Sequence, residues 1–111
     1  MNKFLNSKIY KIISKNTNDV YIGSTYKTLS QRLKQHISDK KRYEKGKYCF
    51  INSFKILSCG DFSIELIENF PCNDKDELIK KEREIMLSDD YKNLVVNKIK
   101  KINSKNNLLK V

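Results

Sequence analysis

The chain has 111 residues, which is enough for one small domain and leaves little room for a second. Hydrophobic residues make up 39% of it and charged residues 32%, so we expect a modest core and exclude a wholly disordered chain. No apolar run approaches the roughly 18–20 residues of a membrane span, and the lysine-interrupted N-terminus lacks the apolar stretch of a signal peptide. We therefore expect an intracellular protein of a reducing compartment, cytoplasm or nucleus, without a membrane partner.

The net charge of +10 favours a polyanionic partner, and nucleic acid is the first candidate. Only three of the 23 basic residues are arginines, and the excess of lysine and asparagine is also what an A/T-rich genome would encode. The charge alone therefore leaves nucleic-acid binding and codon bias as alternatives. Three cysteines and one histidine are too few for a structural zinc site, so we interpret the cysteines as reduced thiols.

Hydrophobic periodicity predicts three strands and three helices, in the order strand, strand, helix, helix, strand, helix. The predicted elements are residues 8–14, 19–23, 28–43, 48–57, 62–69 and 74–87. A turn at residues 15–18 joins the first two strands into a hairpin, and residues 95–96 add a short extended piece. This order predicts an α+β fold, in which about three helices flank a small three-stranded antiparallel sheet. We assign residues 1–97 to this domain and 98–111 to a basic tail rich in lysine and asparagine.

Two tyrosines lie on the predicted hairpin. With a four-residue turn, Tyr10 pairs with Gly23 and Ile12 pairs with Tyr21, so both tyrosine rings lie on one face. Gly23 would leave room on that face for a ligand backbone. The alternative is that both rings simply pack half-buried, as tyrosines in strands commonly do.

The first predicted helix carries a second group of polar residues. Arg32 and His36 are four residues apart and share a face, and Tyr43 lies at a similar angle. A guanidinium group binds phosphate oxygens, and an imidazole transfers protons near neutral pH. The alternative is that these side chains are solvated at the edge of the apolar stripe.

Glu82 lies at the centre of the apolar stripe of the last predicted helix, among Leu78, Ile79, Ile85 and Met86. A carboxylate that faces a core is costly unless something compensates its charge. One explanation is a basic partner, or a stripe that ends in a cleft. The other is a metal ligand or an acid–base group.

Taken in order, these residues resemble the GIY-YIG nuclease superfamily over residues 8–97. Tyr10 ends the triplet K-I-Y, in which Lys8 replaces the first glycine of the family name, and residues 21–23 read Y-I-G. The expected residues follow in the expected order, namely Ser24, Thr25, Arg32, His36, Glu82 and Asn97.

The resemblance implies an endonuclease that hydrolyses DNA phosphodiester bonds with one divalent cation, Mg²⁺ or Mn²⁺. It implies Glu82 as the metal ligand and Tyr10 as the general base for the attacking water. Tyr21 would position water or phosphate, Arg32 would stabilise charge on the scissile phosphate, and His36 would support the proton transfers.

The resemblance also implies supporting residues. Gly23 matches a close-packed glycine of the family, and Asn97 matches an asparagine that buttresses the site. Tyr43 lies near the position where some members carry a second active-site histidine.

These inferences predict a metal-dependent endonuclease with little intrinsic sequence specificity, which binds DNA through lysine and arginine contacts to phosphates. The alternative is a catalytically inactive nucleic-acid-binding module of the same fold. A third interpretation is a small structural protein whose charge reflects codon bias.

Overall fold

A central β-strand with one layer of helix on each face organises the domain. The computed structural model describes residues 2–97, and the basic tail predicted at 98–111 lies outside them. A short 3₁₀ helix at Lys3–Asn6 precedes the main elements. The main elements are β1 (Lys8–Ser14), β2 (Thr17–Thr25), α1 (Leu29–Glu44), α2 (Ser53–Leu57), β3 (Phe62–Asn69) and α3 (Lys75–Met86). The strands form one antiparallel sheet in the order β2-β1-β3, which confirms the predicted α+β class.

The central strand β1 is buried on both faces, because helices cover the sheet on either side. Ile9 packs on one face with the apolar side of α3. Tyr10 and Ile12 point to the other face, where they meet α2. The modest apolar content is thus divided between two small clusters, one on each face of the sheet. A polar site can lie where the edge of the sheet meets both helix layers.

The hairpin register agrees with the prediction at the residues that matter for the site. Tyr10 pairs with Gly23, and Ile12 pairs with Tyr21. The turn itself differs from the prediction, because Ser14 already pairs with Thr17. An irregularity between Ile12 and Ser14 absorbs the difference in length, so the second strand begins at Thr17 instead of residue 19.

Helix α1 has clear signals at both ends. Thr28 accepts a hydrogen bond from the backbone N–H of Gln31, and the Gln31 side chain accepts one from the Thr28 N–H, which is a capping box. At the other end Gly46 has a φ of 76°, and the N–H of Lys47 donates to the carbonyl of Arg42. Glycine is favoured at this left-handed position, so the helix ends where the sequence predicts.

Helix α2 is shorter than predicted. The structure has helix only at Ser53–Leu57, whereas the pattern predicted it from residue 48. The residues before it are weak helix formers, and Asn52 makes no side-chain cap. Phe50 is exposed and packs edge-on against Phe54 from outside the helix. Aromatic packing therefore holds this segment in a non-helical path.

The outer edge of β2 is paired by the segment that follows α3. Val20 forms a parallel bridge with Val95, and the N–H of Val96 donates to the carbonyl of Val20 at 2.8 Å. This is the short extended piece predicted at residues 95–96. Within residues 2–97, no helix combines the length and the apolar character needed to span a membrane.

Candidate active site

The site is built around Tyr10, whose side chain crosses Gly23 on the neighbouring strand. A Cβ atom at position 23 would collide with the Tyr10 hydroxyl and lie 2.5 Å from ring carbon Cζ. Position 23 therefore requires glycine because there is no space for a side chain. The backbone conformation is not the reason, because the φ of Gly23 is not in the left-handed region. The glycine lets a fully buried tyrosine reach across the strand toward α1.

The hydroxyl of Tyr10 lies between two side chains of α1. It is 2.8 Å from Nε2 of His36, and Nε of Arg32 donates to it at 3.2 Å. On the far side of the imidazole ring, Nδ1 of His36 is 2.8 Å from the hydroxyl oxygen of Ser53 on α2. Residues from β1, α1 and α2 thus form one continuous chain of hydrogen bonds.

The direction of one contact in this chain is set by the arginine. Arg32 can only donate, so the oxygen of Tyr10 accepts from it. We assign the single phenolic proton of Tyr10 to the contact with Nε2 of His36, which then acts as the acceptor. The other ring nitrogen of His36 carries the proton and donates to Ser53.

Burial keeps the side chains of His36, Tyr10 and the neighbouring Tyr21 neutral in the free protein. Burial, followed by the positive charge of Arg32, lowers the pKa of His36 to about 3. Burial also raises the pKa of Tyr10 well above its usual value, and only Arg32 opposes this effect. The pKa of Tyr21 rises to about 12, because of burial and then the nearby Glu82 carboxylate.

Tyr21 lies on the same face of the hairpin as Tyr10, as the register predicts. Its ring meets the His36 ring edge-on, with 5.4 Å between the ring centroids. Tyr21 also lines a cleft of about 370 Å³ together with Glu82, Asn52 and Arg83. We call this the carboxylate cleft.

Glu82 is half-buried at the carboxylate cleft, and its carboxyl group forms no ion pair within residues 2–97. Burial raises the pKa of its carboxyl group, although the polar Ser24 side chain and the charges of Arg32 and Arg83 oppose the shift. The apolar stripe of α3 therefore ends in a cleft, which was one of the two explanations left open by the sequence.

Asn97 supports the strand that carries Tyr21 and Gly23. Its side-chain oxygen accepts from the N–H of Ile22 at 2.9 Å, and its amide nitrogen donates to the carbonyl of Ile22 at 2.7 Å. One side chain thus satisfies both backbone groups of a residue between Tyr21 and Gly23.

The comparison with known proteins agrees with this geometry. A family model described as the GIY-YIG catalytic domain matches residues 6–100. The chain belongs to the GIY-YIG family. Its structure is similar to that of the catalytic domain of the homing endonuclease I-TevI, with 28% sequence identity and a TM-score of 0.59. That match covers 82% of this chain and 96% of the other chain. Together with the family match, it identifies the chain as a GIY-YIG-type endonuclease. Curated protein sequences give no match to it.

GIY-YIG nucleases are generally dependent on a divalent metal, and the donor set of this GIY-YIG domain suits one. No group of three or more His, Cys, Asp or Glu side chains converges anywhere in residues 2–97. Glu82 is instead a single carboxylate in an open cleft, and it forms no ion pair among residues 2–97. Mg²⁺ commonly binds through one or two carboxylates and keeps several waters, so Glu82 fits this ion.

Not every residue singled out in the sequence joins this group. Tyr10, Tyr21, Arg32 and His36 come together, with Glu82 at the adjoining cleft. Tyr43 lies apart, packed against Phe50 and Phe54 with ring centroids 5.5 Å away in each case.

Two residues contribute to the GIY-YIG site although the sequence assigned them no role. Ser53 is fully buried and contacts Nδ1 of His36, but in the sequence it is only a polar residue in the middle of the predicted helix 48–57. Ser24 follows the Y-I-G triplet, and its side chain lowers the pKa of Glu82, which lies far along the chain. Neither contact has a local sequence signal.

Proposed function

We propose that this GIY-YIG endonuclease hydrolyses phosphodiester bonds of DNA, depends on Mg²⁺ or Mn²⁺, and has little intrinsic sequence specificity. The observation that carries the proposal is the position of the Tyr10 hydroxyl between the imidazole nitrogen Nε2 of His36 and the guanidinium group of Arg32. This arrangement can take a proton from water while it keeps a cation beside the developing negative charge.

Tyr10 acts as the general base in this proposal. The attacking water gives a proton to the Tyr10 oxygen as the phenolic proton passes to Nε2 of His36. The water oxygen bonds to phosphorus, the bond from phosphorus to the leaving sugar oxygen breaks, and that oxygen takes up a proton from solvent. Ser53 holds the imidazole through Nδ1, so Nε2 stays aimed at the tyrosine.

Substrate binding prepares the base. In the free protein the pKa of His36 is low, partly because of the positive charge of Arg32. A phosphate on the guanidinium group neutralises that charge, so the pKa of His36 rises when the substrate arrives. Arg32 uses Nε for Tyr10, and its terminal nitrogens remain able to bind phosphate oxygens. The proton relay is thus favoured only with substrate in place.

Glu82 would hold the divalent cation. When bound, such an ion supplies stabilisation of negative charge on the phosphate and the leaving oxygen. The Ser24 side chain lowers the pKa of Glu82 and so favours the ionised carboxylate that a cation needs. Burial raises the pKa of Glu82, so its negative charge is costly to leave uncompensated.

Weak sequence specificity follows from the charge distribution. The excess of lysine provides phosphate contacts, which do not distinguish bases. A catalytically inactive DNA-binding module is the competing function, and it predicts salt-sensitive DNA binding without cleavage.

The direct test is nicking of supercoiled plasmid DNA with Mg²⁺, Mn²⁺ or EDTA, by the wild-type protein and by the Glu82→Gln variant. The matched control is Glu84→Gln, on the same helix and exposed to solvent. We expect metal-dependent nicking by the wild type and the control, and none by Glu82→Gln. Cleavage by Glu82→Gln would remove Glu82 from metal binding. Failure of the wild type to cut plasmid, flap and junction DNA would favour the binding module.

A further inference from the structure

A second hollow lies beside the proposed catalytic group. It has a volume of about 330 Å³, and Arg32 forms part of its wall. The other charged residues that line it are Lys3, Lys27 and Lys75, and no acidic residue lines it. We call it the lysine hollow. Ile79 lies between the lysine hollow and the carboxylate cleft and lines both.

The positive charges of the lysine hollow are not neutralised by the protein. None of its four basic side chains forms an ion pair with a carboxylate in residues 2–97. The nearby acids of the α3 N-terminus have other partners: Asp74 caps the helix by accepting from the N–H of Glu77, and Glu77 accepts from the N–H of Asn73. Four cations around one hollow repel one another, and a bound anion would relieve the repulsion.

Lys3 is held in place at the rim of the lysine hollow. Its ammonium group lies 5.0 Å from the ring centroid of Tyr26 and 5.5 Å from that of Phe4. The two rings meet edge to face, with 5.9 Å between their centroids. The N-terminal segment is itself anchored, because the Asn2 side chain donates to the carbonyl of Asn73 at 2.9 Å. At least one of the cations is therefore positioned before any ligand binds.

We propose that the lysine hollow binds a backbone phosphate of the cleaved strand, next to the scissile phosphate, with Phe4 and Tyr26 as a wall for the adjoining sugar and base. The proposal rests on the proposed function and names a binding site for the strand beyond the reacting group. Arg32 connects the two places, because it lines the lysine hollow and also donates to Tyr10. A strand that places one phosphate at Arg32 brings a neighbouring phosphate to Lys27 and Lys75.

The test compares two double variants with the same loss of charge. Lys27→Gln combined with Lys75→Gln removes two positively charged side chains from the wall of the lysine hollow. The control, Lys41→Gln combined with Lys55→Gln, changes two exposed lysines that do not line it. Binding of each protein to a short DNA duplex is measured in EDTA over a series of KCl concentrations, so that cleavage plays no part.

We expect the slope of log K against log salt to become shallower by about 1 in the hollow variant and to stay unchanged in the control. Equal changes in the two variants would overturn the proposal, since the lysines of the hollow would then act only through net charge. Because this measurement needs no cleavage, it tests the lysine hollow whether or not the wild type nicks plasmid DNA. The two proposals can thus fail separately.

A second measurement locates the phosphate once a cut position is mapped on an oligonucleotide. A neutral methylphosphonate replaces, one at a time, the phosphates on either side of the cut. At one of these positions we expect KM to rise about tenfold for the wild type and to change less than twofold for the hollow variant, which has already lost the contact. The same rise in both proteins at every position would place the contacted phosphate elsewhere.

Discussion

The side chain of Tyr10 occupies the space that a Cβ atom would need at Gly23. The two residues are paired across the β1–β2 hairpin, so Tyr10 and the glycine that accommodates it are held in register by the backbone. Position 23 must therefore be glycine if the Tyr10 hydroxyl is to reach His36.

Replacing Gly23 by alanine should displace the Tyr10 hydroxyl from His36. We expect the cleavage rate to fall about 10²-fold, which a shift of about 1 Å can cause, and the free energy of unfolding to fall by about 1–3 kcal/mol. The control is Gly46→Ala, which is strained by its φ of 76° but meets nothing within 4 Å. That variant should lose about 1 kcal/mol of stability and keep its rate. Equal rates for the two variants would contradict the steric explanation.

Removal of the Tyr10 hydroxyl should abolish general base catalysis while the ring still packs. For Tyr10→Phe we expect single-turnover cleavage to slow by about 10²–10⁴-fold. Tyr43→Phe provides the comparison, because Tyr43 lies in the aromatic cluster with Phe50 and Phe54. That variant should cut at nearly the wild-type rate. A loss of less than threefold in Tyr10→Phe would remove this tyrosine from the proton transfer.

The burial of neutral His36 should make folding sensitive to mild acid. Its pKa is about 3 in the folded protein, below the value of about 6.5 in an unfolded chain. The unfolded state therefore binds the proton first, and stability falls as the pH drops below about 6.5. Between pH 7 and pH 5 we expect His36 to account for a loss of about 2 kcal/mol.

Urea unfolding of the wild type and of His36→Gln at both pH values isolates this contribution, because the carboxylates are common to the two proteins. The wild type should lose about 2 kcal/mol more than the variant. Identical losses would show that His36 is protonated or solvated in the folded state.

Ser53→Ala should leave the Nδ1–H of His36 without an acceptor. A buried donor that loses its partner costs about 1–3 kcal/mol, and the imidazole is no longer held in its orientation. We expect the cleavage rate to fall by about 10–100-fold, as when an orienting partner of a catalytic group is removed. Ser38→Ala, on the exposed side of α1, should change neither quantity. An unchanged rate in Ser53→Ala would reduce Ser53 to a packing residue.

Much of the fold was predictable because local signals agree with one another. The capping box at Thr28 and the glycine at position 46 define both ends of α1. The pairing of Tyr10 with Gly23 followed from the hairpin pattern, even though the turn is tighter than predicted. The irregularity that compensates for the turn leaves no trace in the hydrophobic pattern.

The parts that were not predictable depend on tertiary packing. Ser53 meets His36 because α2 packs beside α1, and 17 positions separate the two residues. Tyr43 shares a face with Arg32, but 11 residues of helix place it about 16 Å further along the axis. The angle around a helix therefore identified a shared face without identifying a shared site.

The side chain of Asn97 imitates a peptide unit where it meets the backbone of Ile22. An edge strand with free N–H and C=O groups is a template for pairing with strands of other molecules. Residues 94–97 occupy part of that edge on β2, so the amide that supports the proposed active site also guards the sheet against self-association. Loss of the Asn97 amide would therefore free both backbone groups of Ile22 at this edge and remove a support of the strand between Tyr21 and Gly23.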